Sequence, residues 1–419
     1  MLIALLFVSK LFLIVSGQNE YYMGYKVYNI KLQTKYQEDN FHLLKSDIID
    51  YWRKPSLKHG VVGKAMVPPS HFEWFERQLG SLGMNRDIAI EDVYLHLDSI
   101  KEFKELPRNE SDADGVFDIY NYHRYDKILE HIRSLEYEYT NSTRVSLSVV
   151  QAGETDERRP LVYIKIKSAN VTVDLPVAII EAGIIPREWI TVPSALNIVY
   201  KLLNEDHINL IENFEWIIVP VLNPDGYEYT HTNLRLWTKN RSTRTNLGFI
   251  CPGVNINRNF DVAWGVSDSS SSPCSHIFSG INPFSEPEAR FLKQILEEFE
   301  DRTRIYFSIQ NSGGSDGFVS YPWQFERAAS GMFRQHHLLG LDMVNAINGT
   351  YKLDVGFAAL GDRASGTSSD YAMKENVLYT FNIDVKQRGE NGVQVPIEEV
   401  AEVVEDVWRA VEKAATSLI

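Results

Sequence analysis

The chain has 419 residues, of which 44% are hydrophobic and 23% are charged, and its formal net charge at pH 7 is −14. That length and composition are typical of an ordinary globular protein with a large core and room for two domains. The negative charge repels nucleic acid and anionic lipid, so we expect neither as a partner.

Residues 1–17 form an almost wholly apolar leader. The run MLIALLFVSKLFLIVSG is interrupted by Lys10 and ends in Ser16 and Gly17, small residues that suit signal peptidase. We therefore predict a signal peptide and a secreted, extracellular glycoprotein; an uncleaved anchor is disfavoured by the lysine and by the short length. The Asn-x-Ser/Thr sequons compatible with this route are Asn109, Asn141, Asn170, Asn240 and Asn348.

The next part of the chain, residues 18–108, has the pattern of a small α+β unit. KVYNIKL alternates like a strand, NFHLLKSDIIDYW has apolar residues at helical spacing, and IAIEDVYLHLDSI returns to the alternation of a strand. The polar stretch KELPRNESDADG, rich in turn formers, indicates a linker. We place the linker at residues 109–114 and a second domain at residues 115–419.

Beyond the linker, near-continuous apolar strands alternate with amphipathic helices. This pattern predicts an α/β fold whose largely parallel or mixed sheet is covered by helices on both faces. The strands are LVYIKIK, LPVAIIE, EWIIVPVL, RIYFSIQ and VLYTFNIDV, and the helices lie near residues 190–204, 285–299, 333–347 and 396–417. Ligands bind such sheets beyond the carboxyl ends of the strands, where Glu188, Gln310 and Asp384 fall.

Cys251 and Cys274 are the whole thiol inventory of the chain. An even pair in a chain predicted to be secreted favours one disulfide over cysteine chemistry. Closing a loop of that size would stabilise the fold by roughly 3 kcal/mol in the chain-entropy model.

The chain has no G-x-S-x-G elbow, P-loop, G-x-G-x-x-G or H-E-x-x-H motif, and its informative stretches are longer. They are GIIPREWI, PVLNPDGYEYTHTNLRLWTKNRS, CPGVNINRNFD, SSSPCSHIFSGINPFSEPEARFL and ASGTSSDYA. In this order they resemble the zinc metallocarboxypeptidases of the carboxypeptidase A/B type over residues 115–419. The preceding residues resemble that family's inhibitory prosegment, and Cys251 and Cys274 fit its disulfide.

The resemblance implies a mixed eight-stranded sheet packed between helices, preceded by the α+β prosegment. It also implies a zinc ion at the strand ends, bound by a His-x-x-Glu motif and a second His, and a glutamate that activates the zinc-bound water. In that family an arginine stabilises the oxyanion, and an Asn-Arg pair and a tyrosine hold the terminal carboxylate of the substrate.

The metal ligands of the family are largely replaced. The His-x-x-Glu motif falls on IPRE, so Glu188 remains while Ile185 takes the place of the first histidine. The second histidine falls on Gln310, or on Asn311 if the alignment shifts by one residue. An aliphatic side chain has no lone pair, a carboxamide is a poor zinc ligand, and no histidine is placed beside Glu188; His276, for example, falls in a long loop. We therefore predict that zinc is lost and that the chain has no cofactor.

The catalytic positions differ as well. Asp384 falls on the general-base glutamate and is one methylene shorter, a displacement that in a positioned site costs on the order of a hundredfold in rate. Thr238 falls on the oxyanion arginine and carries no charge, a loss of about 3 kcal/mol. Ser369 falls on the residue that selects the last side chain of the substrate, and this small neutral residue does not favour a basic one.

The groups that bind the substrate carboxylate are partly retained. Arg187, Asn257 and Arg258 match the family, whereas the position of its tyrosine falls on Asp362. We expect Asp362 to weaken the clamp, either by repelling the carboxylate of the substrate or by pairing with Arg258. Without a dication, we expect Glu188 to be a half-buried acid at the start of the following helix, neutralised by Arg187 or Arg258.

These residues favour a secreted, catalytically inactive relative of the carboxypeptidases, a monomer that binds a peptide or secreted protein in its cleft. The alternative is an active zinc carboxypeptidase that releases C-terminal amino acids, with the metal held in a rearranged site by Glu188, Gln310 and Asp384. A storage protein is a third hypothesis. We also predict that the prosegment stays attached, because a glycan on Asn109 would obstruct cleavage after Arg108.

Overall fold

The computed structural model describes residues 17–100, 117–347, 351–386 and 393–419. Residues 1–16 of the predicted signal peptide, the predicted linker and the sequons at Asn109 and Asn348 lie outside these ranges. Within them, no helix has both the length and the apolar character needed to cross a bilayer.

The described residues before the linker form an antiparallel four-stranded sheet with helices packed against it. Its elements are β1 Lys26–Ile30, α1 Lys35–Asp39, β2 Asp50–Arg53, β3 Gly63–Val67, α2 Phe72–Ser81, β4 Ile88–Ile90 and α3 Val93–Ser99. The strand order is β2–β3–β1–β4, which leaves β2 at one edge. Tyr28 from β1 and Phe75 and Leu79 from α2 are buried together in the core under the sheet.

Two predictions for this domain are wrong in part. The stretch NFHLLKSDIIDYW forms a 3₁₀ turn followed by β2 and not a helix, since pairing with β3 overrides its helical spacing. The stretch IAIEDVYLHLDSI is a strand only as far as Ile90. Helix α3 follows because the Asp92 carboxylate accepts the Leu95 N–H and caps it.

The predicted fold class is confirmed, since the second domain contains a mixed eight-stranded sheet with helices on both faces. Its strands are β5 Val145–Glu154, β6 Pro160–Ser168, β7 Val177–Glu181, β8 Glu215–Val219, β9 Thr303–Gln310, β10 Gly317–Tyr321, β11 Tyr351–Val355 and β12 Tyr379–Asp384. Its helices are α4 Tyr125–Tyr139, α5 Thr191–Leu203, α6 Ile208–Asn213, α7 Pro224–Thr232, α8 Pro287–Glu298, α9 Phe333–Ala346, α10 Gly356–Ala359, α11 Ser368–Lys374 and α12 Ile397–Thr416. The predicted disulfide between Cys251 and Cys274 is present.

The central strands bury both faces, as their apolar sequences predict. In β7, Ala178 and Ile180 pack into the core shared with α5 and α12, while Val177 and Ile179 pack into the core shared with α8. The strand order is β11–β10–β12–β9–β7–β8–β6–β5, and the run from β12 to β8 is parallel. The carboxyl ends of these four strands therefore meet at one edge of the sheet, which is where the candidate residues lie.

The described sequons differ in accessibility. Asn141 and Asn170 are exposed, whereas Asn240 is fully buried. The Asn240 side-chain nitrogen donates to the carboxylates of Glu286 at 2.8 Å and Glu288 at 3.0 Å. The folded protein therefore has no room for a glycan on Asn240.

Candidate functional site

A cavity of about 330 Å³ lies at the carboxyl edge of the parallel strands, between the two domains. The predicted site residues that line it are Ile185, Arg187, Glu188, Thr238, Asn257, Arg258 and Gln310. The other wall comes from β2 and its flanking residues in the prosegment, which the sequence analysis did not place there. Asp384 does not line the cavity, but it is bonded to Ser312, which does.

Glu188 lines this cavity and is 8% exposed. Its Oε2 atom accepts the backbone N–H of Asn311 at 2.7 Å, and burial raises the pKa of its carboxyl to about 8 despite this hydrogen bond. The predicted ion pair with Arg187 or Arg258 is not formed, because each guanidinium binds another carboxylate. The charge of Arg187 still acts to lower the pKa of Glu188, but burial outweighs it. Glu188 is also buried and not half-buried, and no side chain of the described residues caps α5.

The donors around Glu188 do not fit the zinc ion that the resemblance implies. Ile185 packs against the apolar core on one face of the sheet, and the Gln310 amide donates to Ser308 at 3.0 Å and to Asn382 at 3.3 Å. In the alternative alignment Asn311 would be the ligand, but its amide oxygen and nitrogen are both bonded to backbone groups. In the part of the chain that the structure describes, no three His, Cys, Asp or Glu side chains are grouped so as to hold a metal.

The Asp384 carboxylate, at the end of β12, is paired with a cation from the prosegment. Its Oδ1 atom accepts the Ser312 N–H at 2.7 Å, and its Oδ2 atom accepts the Ser312 hydroxyl and an N–H of Arg53. Arg53 also donates to the Ala359 carbonyl at 3.1 Å, and its guanidinium carbon lies 4.8 Å from the centre of the Phe318 ring. The carboxylate that replaces the general base is therefore engaged.

Arg187 binds Asp50 of β2 in a bidentate pair. The two N···O distances are 2.5 and 3.1 Å, and both side chains are buried. Burial would lower the pKa of Arg187, but the charge of Asp50 outweighs it and raises the pKa. The His276 ring, which the sequence places in a long loop, lines the cavity and lies 3.8 Å from Asp50.

Arg258 does not pair with Asp362, so that prediction is wrong. Its Nε and Nη2 atoms donate to the backbone oxygen of Asp268 at 2.7 Å and to its carboxylate at 2.6 Å, and the ammonium of Lys54 lies 2.7 Å from the same carboxylate. Burial would raise the pKa of Asp268, but Lys54 and Arg258 hold it well below its usual range. Asp362 forms an ion pair with Lys45.

The remaining candidates carry no charge. The Thr238 hydroxyl donates to the His276 carbonyl at 3.1 Å, and the Asn257 amide oxygen accepts the Ser368 N–H at 3.0 Å. Ser369 is fully buried, and its hydroxyl has no hydrogen-bond partner among the described residues. None of these side chains can supply the positive charge that the family's arginine offers to an oxyanion.

The prosegment residues that enter the site were not predicted from the sequence. A signal existed for Asp50 and Arg53, because they are charged residues inside the otherwise apolar stretch IIDYWR. Isolated charges in a stretch that becomes buried require partners. Asp268 gave no such signal, since it lies in a polar, serine-rich stretch of the sequence. In the structure this stretch is a loop, and the backbone φ of Asp268 is 45°.

Acid is expected to loosen the prosegment where it contacts β11. Asp354 accepts hydrogen bonds from His59 at 2.7 Å and from Lys58, and these lower its pKa from 3.8 to about 2 although burial opposes them. Because the pKa of Asp354 is lower in the folded state than in the unfolded state, its ionised carboxylate stabilises the docked prosegment at any pH above the unfolded-state pKa. That stabilisation is lost as the pH falls through the folded-state pKa. We expect the protection factors of the amides in residues 58–61, which are corrected for the intrinsic pH dependence of exchange, to fall between about pH 4 and pH 2.

The D354N variant is the control, because the pKa values of Asp50 and Asp268 are also lowered in the folded state, so acid weakens their contacts between the two domains as well. In D354N the protection factors of the same amides should depend less on pH over this range. An unchanged pH dependence in D354N would contradict the assignment to Asp354.

Comparison with known proteins covers both domains. A family profile described as zinc carboxypeptidase matches residues 128–410, and one described as carboxypeptidase activation peptide matches residues 28–99. The chain is 33% identical to carboxypeptidase B of Helicoverpa zea over 97% of this chain and 96% of that protein, and 27% identical to carboxypeptidase A1 of Rattus norvegicus over the same shares. The crystal structure of carboxypeptidase A from Helicoverpa armigera matches with a TM-score of 0.86 at 29% identity, over 95% of this chain and 98% of that chain.

Proposed function

The chain belongs to the zinc carboxypeptidase family, and from that premise we propose that it is a secreted member that binds a peptide or protein in its cleft without hydrolysing it. The observation that carries the proposal is the donor set around Glu188, where Ile185 and Gln310 stand in place of two imidazoles. We propose further that the protein is a monomer without a cofactor, and that neither nucleic acid nor a membrane is its partner.

The chemistry of hydrolysis supports this proposal. Peptide hydrolysis in a metal site depends on a metal-activated water and on a Lewis acid, and no side chain in the cavity replaces either. Thr238 offers no charge to an oxyanion, and Asp384 is engaged by Arg53. Each of these substitutions removes a different part of the reaction, so restoring one alone would not restore turnover.

The retained parts of the cleft support a binding role. Arg187 and Arg258 still face the cavity, and each is held by a carboxylate in good geometry. The prosegment occupies the cleft through Asp50 and Arg53, so the chain already contains one peptide segment that the cleft binds. We propose that the prosegment stays attached, as an intramolecular ligand of the cleft.

Purified full-length protein, dialysed against metal-free buffer, is expected to retain no stoichiometric zinc by elemental analysis. Before and after proteolytic removal of the prosegment, it is expected to release no C-terminal residue from peptides ending in aromatic, aliphatic or basic side chains. Carboxypeptidase B of Helicoverpa zea, treated identically, is the positive control. One equivalent of retained zinc with chelator-sensitive release of C-terminal residues would establish the alternative, an active enzyme with a rearranged site.

A further inference from the structure

Three cations on one short segment of the prosegment bind three aspartates of the second domain. Asp268 lines the cavity, Asp384 lies behind Ser312, which lines it, and Asp362 lies outside it. The segment is residues 45–54, which we call the plug. The pairs are Lys45 with Asp362, Arg53 with Asp384, and Lys54 with Asp268. The cleft that the resemblance equates with binding of a carboxylate therefore presents Asp268, and Asp384 behind Ser312, to two cations of the plug.

Two of these pairs are well shielded from water. The side chains of Arg53 and Asp384 are 2% and 10% exposed, and those of Lys54 and Asp268 are 12% and 11% exposed. Salt screens such pairs weakly, and removing one partner leaves a carboxylate without a counter-charge. If the plug moves aside, Asp384 loses the one cation that the structure brings to it among the described residues, while Asp268 keeps Arg258.

The environment of Arg53 suits a guanidinium better than an ammonium group. Its planar group donates to Ser312, Asp384 and the Ala359 carbonyl, and it lies over the Phe318 ring. A lysine ammonium is a point charge and cannot reach these acceptors in one plane while stacking on a ring. The subsite should therefore prefer arginine.

The plug also contains one pair of the opposite polarity. Asp50 lies three positions before Arg53 and holds Arg187 through two hydrogen bonds. Asp50 and Arg53 both belong to the strand β2, so the plug presents their side chains on an extended backbone at the edge of the four-stranded sheet. The cleft thus contacts an acidic residue, then arginine three positions later, then lysine.

We infer that the cleft is a recognition site for an extended basic peptide segment of the pattern Asp-x-x-Arg-Lys, which the plug satisfies within the chain and a partner peptide satisfies when the plug is displaced. This inference rests on the proposed function and specifies its ligand. It differs from recognition of a chain terminus, since residues 45–54 are internal and present no terminal carboxylate. Ser369 takes no part in it.

A fluorescently labelled peptide, KSDIIDYWRK, with a blocked N-terminus and an amidated C-terminus, tests the inference by anisotropy. The protein is the full chain with R53A and K54A, in which the plug is weakened as a competitor. We expect saturable binding, a loss of about 30-fold or more when citrulline replaces the peptide's arginine, and a smaller loss when lysine replaces it. A free C-terminal carboxylate should change the affinity little, and D384N in the protein should reproduce the citrulline effect.

A second measurement on the wild-type chain does not depend on the folding of the variant. Excess peptide should displace the plug and raise amide exchange in residues 45–54, whereas the citrulline peptide should not. Equal binding of the arginine and citrulline peptides, or binding that requires the free carboxylate, overturns the inference and leaves a non-hydrolytic cleft intact. No binding and no displacement also overturns it. Mass analysis of the peptide separates the two proposals, because zinc-dependent shortening would overturn the proposed function itself.

Discussion

Replacement of Arg53 by alanine is expected to destabilise the docked prosegment by about 3–5 kcal/mol. The guanidinium is 2% exposed, and it pairs with an Asp384 carboxylate that is itself largely buried. Its removal leaves that carboxylate bonded to Ser312 but without a counter-charge, in a place where water reaches it poorly. Native-state hydrogen exchange of β2 measures the loss, and urea unfolding measures how much of it reaches the whole molecule.

Two variants show whether the effect belongs to the buried pair. K58A removes a lysine whose side chain is 62% exposed, and it should cost less than about 1 kcal/mol. R53M combined with D384L removes both charges and fills the space with apolar atoms, so it should recover most of the stability that R53A loses. The assignment fails if R53A and K58A have equal effects.

The alternation of apolar strands and amphipathic helices predicted a sheet covered by helices, whereas the number of eight strands came only from the resemblance. Near-continuous apolar runs such as those of β7 and β8 are typical of strands buried on both faces. The strands β10 and β11 were missed because runs of only five residues carry little periodicity. Helix α4 was missed although Ile128, Ile132 and Leu135 have helical spacing, so its signal was available.

The sequence predicted which residues form the site better than it predicted which charged residues pair with one another there. Matching long motifs brought Ile185, Glu188 and Gln310 to one cavity, because those stretches follow strands whose order the fold dictates. The partners of the charged residues were not predictable in this way. Arg187 meets a carboxylate 137 positions away, and Asp384 meets a guanidinium 331 positions away. Local pattern carries no information on contacts between domains, which is why Arg187 was assigned to Glu188. Arg258 pairs within its own domain, with Asp268 ten positions away in a serine-rich loop that the sequence did not place at the site.

The variant I185H/Q310H is expected to bind zinc where the wild-type chain does not. It restores two imidazoles beside Glu188, and two histidines with one glutamate are a common set of protein ligands for catalytic zinc. Zinc at about 100 times its dissociation constant should then stabilise the folded variant by about 2.7 kcal/mol. Zinc content after dialysis and the zinc-dependent shift of the unfolding midpoint are the two measurements, and neither depends on activity.

The single variants I185H and Q310H are the matched controls, since each leaves one protein ligand fewer and should lose zinc on dialysis. Peptidase activity is not expected even in the double variant, because Thr238 still supplies no cation to an oxyanion and Arg53 still engages Asp384. If the wild-type chain shows the same zinc-dependent stabilisation as the double variant, then Ile185 and Gln310 are not what excludes the metal.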